Sequence, residues 1–134
     1  MPTLPGLPGA EQLLAVLIGG AVGSVARFLV GHIFGNWFGA TFPWATLVVN
    51  STGSIWLGYI ATMTILKPGT IDPNMRLLLT TGFAGGFTTY SSFTFETLAL
   101  YQRGEFDLVP LNIVCNLILG FLGAWLGIVI ARLT

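Results

Sequence analysis

The residues able to do chemistry in this 134-residue chain are amides and hydroxyls, and they cluster. The densest cluster is Gly82-Phe83-Ala84-Gly85-Gly86-Phe87-Thr88-Thr89-Tyr90-Ser91-Ser92-Phe93. Adjacent glycines followed by Thr-Thr and Ser-Ser make a poor continuous helix: glycine gives up more backbone entropy, and short hydroxyl side chains compete for backbone partners. Two outcomes fit such a stretch. The helix breaks and its unwound carbonyls coordinate a cation, or it kinks and the hydroxyls repair the kink. Tyr90 and Phe93 are spaced i,i+3 and face one way. Aromatic edges are partly positive, so edges lining a pore would suit an anion; inside a bundle the same pair is packing.

Further amides fall in other apolar stretches. Asn50 opens the polar or small run Asn50-Ser51-Thr52-Gly53-Ser54, seven residues past Pro43. At 1.5 Å per helical residue that is roughly 10 Å along the axis. Asn112 and Asn116, with Cys115 beside them, are spaced i,i+4 and share a helix face. One such amide ordinarily makes an interhelical hydrogen bond; three in so small a chain also suit a hydrated path. Arg27 is expected to anchor at an interface by snorkelling, with internal pairing as the alternative. Carboxylates are sparse at depth, Glu96 being the only candidate. Donors without negative charge favour an anion over a cation. There is no nucleophile–base pair and no metal cluster for an enzyme to use.

The elements that must hold these groups follow from the charge pattern. Hydrophobic residues make up 54% of the chain and charged ones 7%, against about a quarter in a soluble domain. Five basic and five acidic residues cancel. Such a surface does not suit a water-soluble monomer, and it offers no basic patch for nucleic acid. One cysteine excludes a disulfide framework and a Cys-based zinc site, and one histidine excludes most His-ligated metals.

Residues 12–26, 28–66, 77–95 and 108–131 carry no Asp, Glu, Lys or Arg. A crossing needs about 20 apolar helical residues, so these spans predict four membrane helices, at about 13–34, 43–66, 74–101 and 108–133. The third contains the Gly-Thr-Ser segment that would break or kink it. The head, residues 1–10, is rich in Pro and Gly and lacks the cationic region of a cleavable signal peptide. Residues 11–134 form a single membrane domain. Glycine pairs at small-xxx-small spacing (Gly19 and Gly23, Gly31 and Gly35, Gly82 and Gly86, Gly123 and Gly127) predict a tightly packed bundle that assembles further. With four crossings, Lys67, Arg76 and Arg132 share one side and Arg103 lies on the other, joined by Arg27 if it reaches that surface. That imbalance of one or two charges fits either a weak preference for the N-terminus inside or insertion in both orientations.

The segment Gly82 to Phe93 resembles the third-helix signature of the Fluc (CrcB) fluoride channels. Gly19 to Phe28, with Arg27, is similar to that family's first-helix motif. Thr46 to Ser54 resembles its second-helix Asn-x-x-Gly motif, and Asn112 to Gly127 its fourth helix. The resemblance covers nearly the whole chain after the head. It implies an all-α integral membrane protein: a dual-topology homodimer of two antiparallel four-helix subunits in the cell membrane. It also implies passive, fluoride-selective export that lowers fluoride toxicity. A structural sodium ion would be held at the dimer centre by the backbone carbonyls of Gly85 and Thr88. The anion pathway would comprise Asn50, Tyr90, Phe93, Asn112 and Asn116, with Arg27 in a structural or interfacial place. Tyr90 departs from the usual Phe, and Asn116 from a small hydroxyl residue. A small multidrug-type exporter would need a glutamate early in the first helix, and there is none. A non-conducting membrane scaffold would explain the glycines but not the polar third helix.

Overall fold

The computed structural model describes residues 6–134. Part of the expected head therefore lies outside the described residues, and within them the first helix already begins at Ala10. The helices are Ala10–Phe38, Trp44–Leu66, a third in two lengths (residues 73–87 and Tyr90–Gln102), and Leu108–Leu133. The first and fourth are long and apolar enough to cross a membrane.

The first helix overruns the expected span at both ends. It continues through Gly35-Asn36-Trp37-Phe38, where the sequence suggests a turn. Contacts within the helix hold this last turn. Phe34 packs against Trp37 and Phe38, and Asn36 Nδ2 bonds His32 Nε2 one turn back at 3.2 Å. The chain turns instead at Gly39, whose φ of 69° favours glycine. At 29 residues the helix is about 43 Å long, more than a perpendicular crossing of the hydrocarbon core requires.

The third helix starts at Pro73, capped by Asp72, whose carboxylate accepts from the Asn74 and Met75 backbone N–H groups at 2.9 and 3.2 Å. After Pro73–Leu77 the backbone widens into a seven-residue π-helix, Leu78–Ala84, then regains α geometry over Gly85–Phe87. Trp56 of the second helix supports this stretch. Its indole N–H donates to the Leu79 carbonyl at 2.9 Å, and its ring meets Phe83 edge-on.

Close helix packing follows the glycines. A Cβ at Gly23 would collide with the Phe83 carbonyl oxygen and lie 2.9 Å from the Phe87 nitrogen. Gly19, Gly82 and Gly86 similarly join the first and third helices backbone to backbone. Gly123 and Gly127 do the same for the fourth helix against Ser51, Ile55 and Tyr59 of the second. A Cβ at Gly31 or Gly35 would meet nothing, so this pair sets no close helix contact within one chain. The resulting core is thin, with Leu100, Val49 and Asn112 as its most deeply buried large side chains. Large apolar residues such as Leu17, Phe28, Phe121 and Trp125 point outward.

Candidate ion-conduction site

Two consecutive residues break the third helix. Thr88 (φ −83°, ψ 162°) and Thr89 (φ −153°, ψ 122°) are extended. Gly85 and Gly86, expected to open the helix with them, stay helical. Glycine costs a helix only about 1 kcal/mol. Here Gly86 gains a seat against the Gly20 and Ser24 backbone that no larger residue fits.

Each side of the break has its own partners. The N-terminal half ends with orphan carbonyls. Ala84 O accepts from Thr88 N–H and Thr88 Oγ1, both at 2.9 Å. Gly86 O accepts from Arg27 Nε at 3.0 Å. Arg27 thus turns inward to a helix C-terminus, where a cation is favourable, instead of snorkelling to the interface. Among the described residues, the carbonyls of Gly85 and Thr88 accept no hydrogen bond. On the other side, Thr89 caps the second half, its hydroxyl accepting from Ser92 N–H at 3.1 Å.

Asn50 closes the gap from the second helix. Its Oδ1 accepts from Thr89 N–H at 2.8 Å, and its Nδ2 donates to Thr89 O at 3.1 Å. This amide satisfies both backbone groups of Thr89 that the break exposes. Asn50 Nδ2 also donates to Asn116 Oδ1, so both its N–H groups are engaged. Asn116 in turn bonds Asn112, which is 0% exposed.

Tyr90 and Phe93 follow the break, their ring centroids 6.0 Å apart. Tyr90 is 78% exposed. Together with Asn50, Gly85, Thr88 and Asn116 they border a groove of about 560 Å³, open along one side. The structure therefore brings Asn50, Tyr90, Phe93, Gly85, Thr88 and Asn116 together. Asn112 lies behind the wall, and Arg27 borders a neighbouring 170 Å³ hollow with Thr46, Ser92 and Glu96.

Some participants escaped the sequence reading. Thr89 holds the junction. The first N–H groups of the helix Tyr90–Gln102 form a partly positive end beside the groove, suited to an anion. A break between two threonines was the available signal. Nothing in the sequence marked Thr97, which joins the amides from eight residues further on. Glu96 Oε2 is buried and has no hydrogen-bond partner among the described residues.

An apolar helical bundle with a broken helix whose new N-terminus borders a polar-rimmed groove is the architecture of a membrane ion-handling protein. The family model described as CrcB-like protein, Camphor Resistance (CrcB), matches residues 14–128. A protein of Hydrogenovibrio crunogenus named "Fluoride-specific ion channel FluC" is 45% identical over 117 residues, covering 87% of this chain and 88% of its own. One of the same name from Thermus thermophilus is 44% identical over 119 residues, 89% of this chain and 92% of its own. A third, from a Sulfurihydrogenibium species, is 39% identical over 123 residues, covering 92% and 98%. The chain belongs to the CrcB family.

Proposed function

We propose that this chain conducts fluoride passively and selectively across the cell membrane, lowering intracellular fluoride. The observation that carries the reading is the break at Thr88-Thr89, clasped by Asn50, with Tyr90 and Phe93 on an open groove. A fluoride ion losing water there meets the exposed N–H end of Tyr90–Gln102 and the partly positive ring edges. Asn50 forms the wall behind them. The chemistry is ion transfer without covalent change, consistent with relatives named as channels and not as enzymes.

The protein is multi-pass, with four crossings per chain, and works as an antiparallel homodimer. Support comes from the groove, which one chain leaves open, and from the exposure of Tyr90 and Gly85. A second copy covers that face. The small imbalance in basic residues suits insertion in both orientations.

The carbonyls of Gly85 and Thr88 fit a structural sodium ion, as hard, uncharged oxygen ligands that engage no protein donor. Open space beside Gly85 leaves room for the ion. When bound, it supplies positive charge and coordinates oxygens that would otherwise be unsatisfied at membrane depth.

Efflux from liposomes carrying the purified protein tests the reading. A fluoride gradient with a potassium ionophore should drive fluoride out without a proton gradient, while chloride stays. Replacing sodium with a large organic cation should reduce that flux. Equal chloride and fluoride flux, or a requirement for protons, would refute the channel; undiminished flux without sodium would remove the ion.

A further inference from the structure

The amides do more than line a groove: they form one directed chain of hydrogen bonds. The Thr89 N–H donates to Asn50 Oδ1 at 2.8 Å and Asn50 Nδ2 to Asn116 Oδ1 at 3.0 Å. Asn116 Nδ2 donates to Asn112 Oδ1 at 3.0 Å and Asn112 Nδ2 to Thr97 Oγ1 at 2.9 Å. Thr97 Oγ1 then donates to the Phe93 carbonyl at 2.6 Å. Every link runs donor to acceptor in the same sense, so each bond polarises the next. The chain leaves the third helix at the break, passes through the second and fourth helices, and returns two turns later. It spans the segment that carries Tyr90 and Phe93.

Both amides of the fourth helix are committed to this path. Asn112 is 0% exposed and Asn116 9%, and both N–H positions of Asn116 are taken by the Asn112 carbonyl and side-chain oxygens. Asn116 has no free donor to offer a passing ion, and Asn112 is shut off from the groove by burial.

We propose that Asn112 and Asn116 are positioning residues. They aim Asn50 at the break and anchor Thr97, fixing both ends of the aromatic segment without touching the ion. This rests on the channel reading and replaces direct anion contact by these two residues.

Asn116→Leu keeps similar volume but takes the acceptor from Asn50. In liposome efflux its maximal fluoride flux should fall about tenfold, the scale of one misplaced hydrogen-bonded group. The fluoride concentration giving half-maximal flux should stay near that of the parent protein. A rise in that concentration matching the lost flux would make Asn116 a direct ligand and overturn the proposal, as would undiminished flux. A second measurement avoids the leucine. In a Cys115→Ala background, Asn116→Cys should resist a charged, water-soluble thiol reagent, whereas Tyr90→Cys should react. Modification of Asn116→Cys that blocks flux would place the residue in the pathway. Parent protein that conducts no fluoride would instead defeat the channel reading itself.

Discussion

Two glycines, Gly23 and Gly85, behave very differently here. Gly23 has the Phe83 carbonyl and the Phe87 nitrogen where a Cβ would go, and both are backbone atoms that cannot swing aside. Gly23→Ala should lower stability by about 1–3 kcal/mol through overpacking, measured as earlier thermal unfolding in detergent. Gly85 has nothing near its missing Cβ within one chain. Gly85→Val should therefore leave an isolated chain folded. Yet it should abolish fluoride flux, because the branch crowds the proposed sodium site and the second copy. A flux near that of the parent protein would show that this face is unoccupied. The Arg27 side chain teaches a related lesson. Its reach permitted either an interface or a buried partner, and only the neighbouring C-terminus at Gly86 decides between them.

At the scale of elements, the third helix depends on supports from elsewhere. The π-helical stretch Leu78–Ala84 is held by the Trp56 indole on the Leu79 carbonyl. Trp56→Phe retains a ring against Phe83 but loses that hydrogen bond, which should cost about 0.5–1.5 kcal/mol. An unchanged unfolding temperature would count against the clasp. The four helices were readable in the charge-free spans, because a bilayer leaves few alternatives to helix. Weakness in the third was readable too, since Gly, Thr and Ser all disfavour continuous helix. The point of breakage was not. Gly85-Gly86 and Thr88-Thr89 are comparable locally, and packing against Gly20 keeps Gly86 helical. The π-helix was likewise hidden, because its support comes from Trp56, more than twenty residues away. Asn112 and Asn116 could be paired by spacing, but their partner Thr97 requires the folded bundle.

For the whole molecule, near balance of charge becomes a property of assembly. With Arg27 turned inward, Lys67, Arg76 and Arg132 outnumber Arg103 by only two charges. Adding several lysines to the linker between the second and third helices should bias insertion toward one orientation. Flux per molecule should then fall, because an antiparallel pair needs both orientations. Reporters on the C-terminus should show the bias, and coexpression with an oppositely biased variant should restore flux. Unaltered flux from a population in one orientation would refute antiparallel assembly. Within each chain, Asn50 holds Thr89 by both its N–H and its carbonyl, bracing the break as a bend. The channel proposed here, built on such a bend, would have no shutter to close. Its host would then carry a permanent leak, and the membrane voltage would survive only if abundant ions were refused at the door.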